Sequence, residues 1–313
     1  MARKIIIDTD PGQDDAVAIL LALGAPEALE VVAIVTVAGN VPLALTQVNA
    51  CKILELAGRG DIPVFAGCDR PMQRKLITAE HVHGKTGLDG PNLPPPEISL
   101  QAQHGVDFLI AALRQAPIGA LSLAVLGPMT NIATALLRAP DIAGRIREII
   151  VMGGAYFEVG NITPAAEFNV YVDPEAAEIV LNSGVPITML PLDVTHRALA
   201  TPERVARIAA IGNRSATAVC AMLNFSERFD LAKYGWAGAP VHDPNVIAYL
   251  LRPELYTGRS VNVVVETAGT FTLGMTVVDY WQITDRPRTV KYLRDVDADG
   301  FYALLVDRLA RLP

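Results

Sequence analysis

Residues 4–23 read KIIIDTDPGQDDAVAILLAL, and the fold follows from how this stretch divides. Ile5, Ile6 and Ile7 form a continuous apolar run, as in a strand buried on both faces of a parallel sheet. Pro11 and Gly12 break it. From Asp14 onward Ala16, Ile19, Leu20 and Leu23 recur at the spacing of a helix stripe. The reading is strand, tight loop, helix. Four carboxylates, Asp8, Asp10, Asp14 and Asp15, crowd that junction. Asp8 and Asp10 point the same way on an extended chain. Asp14 and Asp15 fall where unpaired helix N–H groups favour anions. Like charges this close repel by about 1 kcal/mol per pair in water, and by more when partly buried. A hard divalent cation would turn that cost into a binding site. All-oxygen ligands suit Ca²⁺ or Mg²⁺. The plainer reading of one or two of these residues is a helix cap. The loop is acidic and holds one glycine, so it is not a phosphate cradle.

The rest of the chain repeats the alternation. Apolar strands are expected at 30–39, 63–67, 121–126, 148–152 and 187–192. Helices are expected at 43–57, 105–116, 131–137 and 174–181. This pattern means βαβ units and a mainly parallel sheet. The 69–96 stretch, with His81 and His83, is irregular and long enough to carry function. Residues 201–231 read as largely helical, broken near Gly212. Val261–Glu266 and Thr270–Leu273 read as an antiparallel pair, followed by a last strand at 290–293 and a helix at 300–309. The expected fold is α/β: an open, mostly parallel, doubly wound sheet flanked by helices, with a small antiparallel extension near the C-terminus. No linker or repeat interrupts it, so residues 1–313 read as a single domain.

The 313 residues are 51% hydrophobic and 19% charged, which fits a globular protein. The net charge of −7 argues against nucleic-acid or anionic-membrane binding. No apolar run reaches about 18 residues, so no membrane span is expected. The three cysteines are too few and too scattered for a disulfide framework. With no signal-like N-terminus, a cytoplasmic location is the expectation.

Ligands of open parallel sheets sit at the carboxyl ends of the strands. This chain puts Asp8, Asp10, Asp14 and Asp15 at the first, Asn40 at the second and the Leu126 carbonyl at another. Asn161 and the Glu167-Phe168-Asn169 triplet follow Gly153-Gly154, and Asp193 follows the 187–192 strand. Carboxylates and carboxamides suit a metal plus a polyol. Asp243 in His242-Asp243-Pro244 could simply start a helix, as Asp173-Pro174 does. Met222, Phe225, Phe229, Tyr234 and Trp236 could equally be core or an apolar wall for a flat ring.

The motifs D-T-D-P-G-Q-D-D-A (8–16), V-A-G-N (37–40), H-V-H-G-K-T-G-L-D-G (81–90) and L-G-P-M-T-N (126–131) recur in one known family. So do V-M-G-G (151–154), N-I-T-P-A-A-E-F-N-V (161–170), V-H-D-P (241–244) and T-L-G-M-T (272–276). The chain resembles the inosine–uridine-preferring nucleoside hydrolases over almost its full length. The resemblance implies hydrolysis of the N-glycosidic bond of ribonucleosides, in nucleoside salvage, through an oxocarbenium-like transition state. It implies Ca²⁺ held by Asp10, Asp15, Asp243 and the Leu126 carbonyl, with Asp10 as general base. It implies ribose binding by Asp14, Asn40, Asn161, Glu167 and Asn169, with Met152 packed on the sugar. His242 is then the candidate leaving-group acid and His83 a residue on the base side, near Phe229 and Tyr234. The K-Y-G-W-A-G-A-P-V-H-D-P run (233–244) resembles the pyrimidine-preferring bacterial branch. A homo-oligomer, dimer or tetramer, is implied. The competing expectations are an aspartate-dependent phosphohydrolase and a non-catalytic nucleoside- or ribose-binding module.

Overall fold

The computed structural model describes residues 2–313, apart from the side chains of residues 227–234. Eleven strands are described: β1 Arg3–Thr9, β2 Leu29–Thr36, β3 Val64–Ala66, β4 Leu121–Val125, β5 Ile146–Met152, β6 Ile187–Leu190, β7 Leu199–Ala200, β8 Ala239–Pro240, β9 Tyr256–Val265, β10 Thr276–Asp279 and β11 Val290–Val296. Nine of them form one sheet in the order β10-β9-β11-β6-β5-β4-β1-β2-β3, while β7 and β8 make a separate two-stranded ladder. From β3 to β11 every neighbouring pair is parallel; β9 runs antiparallel to β11 and to β10. The mostly parallel sheet with an antiparallel end is the architecture expected from the sequence.

The apolar run of β1 explains its central position. Ile5 and Ile7 feed the core on one face of the sheet, and Ile6 feeds the core on the other. Alternate side chains leave a strand on opposite faces, so a strand covered on both sides must be apolar throughout. The helices Gln13–Leu23, Leu43–Leu56 and Pro244–Leu251 line the first face. Gly105–Gln115, Thr130–Arg138 and Pro174–Leu181 line the second.

The chain order reverses at β1, which is flanked by β2 on one side and β4 on the other. Such a switch point opens a crevice beyond the carboxyl ends of the two strands. The Asp10 turn leaves β1 there, and Leu126 leaves β4.

Two expected boundaries move. The strand at 187–192 ends at Leu190, and Asp193 lies in a one-turn helix, Leu192–Thr195. The hairpin partner of β9 is Thr276–Asp279, not Thr270–Leu273. Residues 270–274 form the turn: Glu266 N donates to Met275 O at 2.9 Å and Gly274 N donates to Glu266 O at 2.7 Å. Gly274 sits at φ +77°, a conformation that favours glycine. Phe271, expected in a strand, is 88% exposed.

Candidate active site

The site begins with Asp10, 1% exposed at the end of β1. Its Oδ2 accepts from Asn40 N at 2.7 Å. The Asn40 amide donates to Asp10 O and to Asp15 Oδ2, both at 3.1 Å. A Cβ on Gly39 or Gly127 would overlap the Asp10 carboxylate, so the turns after β2 and β4 close directly on it. Asp15 is also fully buried. It accepts from Thr9 Oγ1 at 2.5 Å and from Gly12 N at 2.9 Å, which satisfies the N–H of the residue before the helix.

Among the described residues, Asp14, Asp15 and Asp243 bring carboxylate oxygens within 4.8 Å of one another. Asp10, expected as a ligand, stands beside this trio rather than within it, and Asp14, expected on the sugar, completes it. Asp243 begins the helix Pro244–Leu251, yet its side chain makes no cap hydrogen bond. Asp173, the comparison case, does cap, accepting from Ala176 N at 3.1 Å. The plain helix-start reading therefore holds for Asp173 and not for Asp243.

The electrostatics are unbalanced. Burial, then the neighbouring Asp15 charge, pushes the Asp10 carboxyl well above the usual range. Burial and then Asp14 raise Asp15. Burial, then Asp14, Asp15 and Asp10, raise Asp243 well above its usual range, and it hydrogen-bonds Asp15. No Lys or Arg is among the described residues lining the pocket. An all-oxygen donor set without a counter-charge fits a hard divalent cation. These aspartates are where such an ion would be held.

A second polar wall faces this cluster. Glu167 and Asn169 do not lie on an extended segment: a helix, Phe168–Val172, begins between them. Glu167 caps that helix, accepting from Asn169 N at 2.9 Å and Val170 N at 3.2 Å. It also accepts from Gly154 N at 3.0 Å. Burial pushes its carboxyl up to about 7 against those three donors. Asn169 Nδ2 donates to Leu126 O at 2.7 Å and Met152 O at 3.3 Å. Asn161 Oδ1 accepts from Phe168 N at 2.9 Å. Asp14, Asn40, Leu126, Met152, Asn161, Glu167, Asn169 and Asp243 all line the same pocket as His83 and His242.

His242 Nδ1 pairs with Thr195 Oγ1 at 2.8 Å, and burial, then His83, pushes the imidazole down to about 4. The His196 ring lies 5.8 Å from it and 4.8 Å from Trp236.

Some sequence-derived residues lie elsewhere. Asp8 is one step deeper in β1, where Asn131 Nδ2 donates to it at 2.9 Å, and burial pushes it up to about 8. Asp193 is not in the pocket. It accepts from the backbone N–H groups of Tyr156, Phe157 and Glu158 and from Tyr292 OH, tying down the segment after β5. Met222 is core, and the helix Arg214–Tyr234 turns Leu223 and Ser226 to the pocket instead. Phe229 and Tyr234 fall outside the described residues. Sequence reasoning missed Gln13, Thr195 and His196. Only Gln13 had a signal, its place inside D-P-G-Q-D-D.

Comparison with known proteins points to one family. The family model described as inosine-uridine preferring nucleoside hydrolase matches residues 5–303. An uncharacterized protein of Schizosaccharomyces pombe is 52% identical, over 99% of this chain and 100% of its own length. A pyrimidine-specific ribonucleoside hydrolase, RihA, of Photobacterium profundum is 49% identical over 99% of both chains. Among solved structures, a plant nucleoside hydrolase superposes with a TM-score of 0.92 at 33% identity, covering 99% of both chains. A purine-preferring ribonucleoside hydrolase from Gardnerella vaginalis superposes with a TM-score of 0.91 at 31% identity, covering 98% of both. A family match across nearly the whole chain, met by a carboxylate cluster at the switch point of the sheet, makes this chain a member of the inosine-uridine preferring nucleoside hydrolases, a family of N-glycosyl hydrolases.

Proposed function

We propose that the chain, acting as one domain, hydrolyses ribonucleosides to ribose and free base, with pyrimidine nucleosides such as uridine and cytidine preferred and Ca²⁺ as its ion. The observation that carries this reading is the buried acidic cluster. The Asp243 side chain makes no cap hydrogen bond to its helix and joins Asp14 and Asp15 instead. Asp10, Asp15, Asp243 and the Leu126 carbonyl, together with Asp14, would hold the ion. When bound, it supplies a Lewis-acid centre able to take a sugar diol and a water. The base preference rests on the 49% identity to a pyrimidine-specific relative, against 31% to a purine-preferring one.

The chain's own groups divide the remaining work. Asp10, oriented by Asn40 N, takes the proton of the attacking water. Glu167, Asn161 and Asn169 grip the ribose hydroxyls, and Met152 packs against the sugar. Carboxylates around the ring favour the positive charge that develops as the glycosidic bond breaks. His242, held at Nδ1 by Thr195, meets the departing base. A phosphohydrolase would need a cationic phosphate clamp, and the described lining has neither Lys nor Arg.

The test is a panel of ribo- and deoxyribonucleosides with reducing-sugar detection, with and without a chelator. Turnover of uridine and cytidine that ceases on chelation and fails on 2′-deoxy substrates is expected. Phosphate release from phosphomonoesters, or uridine binding without hydrolysis, would overturn the reading.

A further inference from the structure

Gln13 is 1% exposed and opens the helix that carries Asp14 and Asp15. A buried primary amide must satisfy two N–H donors and one oxygen. Its Nε2 lies 2.9 Å from His83 O and 3.0 Å from Asp89 O. Both partners are carbonyls, which only accept, so the amide has a single orientation. Its Oε1 then faces His83 Nδ1 at 2.7 Å. An amide oxygen only accepts, so Nδ1 carries the proton. In the neutral ring Nε2 is therefore bare, and it is the one ring nitrogen left for the pocket that His83 lines.

The surroundings leave the ring little freedom. A Cβ on Gly12 would stand 2.6 Å from His83 Nδ1, so the imidazole is seated on the backbone of the turn. A second buried amide works beside the first. Asn49 Nδ2 donates to Pro11 O at 3.0 Å and to Thr86 O at 2.8 Å. Together Gln13 and Asn49 tie the 83–89 segment to the acidic turn from below.

We propose that Gln13 is a positioning residue for nucleoside hydrolysis: it holds His83 as the Nδ1–H tautomer and so presents Nε2 to the substrate as a hydrogen-bond acceptor. Neutral His83 then cannot protonate a leaving base. It reads a donor on the substrate instead, such as an imide N–H, an exocyclic amine or a hydroxyl. The tautomer stands on the geometry alone. Its consequence for turnover rests on the functional reading above, and the two are tested separately.

The chain has five histidines, so ¹⁵N-histidine labelling with long-range ¹H–¹⁵N correlation resolves each ring, and a His83→Asn variant assigns the one of interest. At about pH 8, where an ordinary imidazole is neutral, the unaltered protein is expected to show His83 with Nδ1 protonated and Nε2 not. A protonated Nε2 with a bare Nδ1 overturns the proposal, whether or not any variant folds or any substrate turns over. Gln13→Leu should mix the two tautomers and lower kcat on uridine about tenfold, the scale of one lost hydrogen bond, with KM changing less. In the His83→Asn background the same substitution should cost nothing further. An equal loss in both backgrounds would mean that Gln13 only anchors the segment, and would overturn the positioning role.

Discussion

Replacing Asp243 with Asn should change stability in opposite directions depending on whether the ion is present. Without an ion, Asp243 is buried against Asp14, Asp15 and Asp10, and its carboxyl is raised well above the usual 3.8. A carboxyl raised on folding binds a proton that the unfolded chain has lost. Stability then falls as pH rises from the unfolded value towards the folded one, by at most about 1.4 kcal/mol per pH unit. Asn keeps the shape and cannot ionise, so it removes this slope. As pH rises above the unfolded value the two chains should diverge, with the Asn variant the more stable, by about 1.4 kcal/mol for each pH unit over which the folded carboxyl keeps its proton. For a chain of this size each such unit is on the order of 2 °C in Tm. Ca²⁺ at about a thousandfold excess over Kd should reverse the ranking, because ion bound only to the folded state then stabilises it by about 4.1 kcal/mol. The variant, one carboxylate short, should gain much less and should lose turnover. Thermal denaturation of both chains in chelator and in Ca²⁺, at several pH values, reads all of this. An Asn variant less stable than its parent in chelator at pH 7, or equal stabilisation of both by Ca²⁺, would refute the reasoning.

Asp8, raised by burial to about 8, works in the same direction without touching the pocket. Asp8→Asn should flatten the decline of stability between about pH 5 and pH 8 by about 1 kcal/mol per unit, measured by denaturant unfolding, and leave kcat near that of the parent. His242, pushed down to about 4, is neutral through the working range, so kcat should show no acid limb from it above about pH 5. His242→Ala should cost about 10²-fold or more on uridine and far less on a riboside whose leaving group needs no hydrogen-bond donor. Equal losses on both substrates would remove His242 from the leaving-group side.

The fold was legible because its signal is local. The Ile5–Ile7 run and the apolar residues from Ala16 to Leu23 state a buried strand and a helix within twenty residues, although that helix is buried on nearly every side and not along one stripe, and Gly212 marks its helix break at φ +76°. The second hairpin strand was misplaced because Thr270–Leu273 has strand-like composition. What moves the strand is a turn closed by Gly274, visible only once Glu266 and Met275 are paired. The acidic cluster was legible for the same reason as the fold, since three of its members lie in one motif. Which three carboxylates sit closest was not legible, because Asp243 arrives from more than two hundred residues away. Asp193 looked like a strand-end ligand and proved to be a clamp for three backbone N–H groups, partners that carry no sequence signature. Gln13 escaped notice because its partner His83 is seventy positions distant.

The central claim is that the buried aspartates beyond β1 are tolerated because they hold a divalent ion at the sugar site. A crystallographic map from calcium-rich buffer tests it most directly. The account predicts a single strong peak among Asp10, Asp14, Asp15, Asp243 and the Leu126 carbonyl, with oxygens at about 2.3–2.6 Å. Clear density for those side chains with no ion between them, and Asp15 and Asp243 still sharing a hydrogen bond, would contradict it.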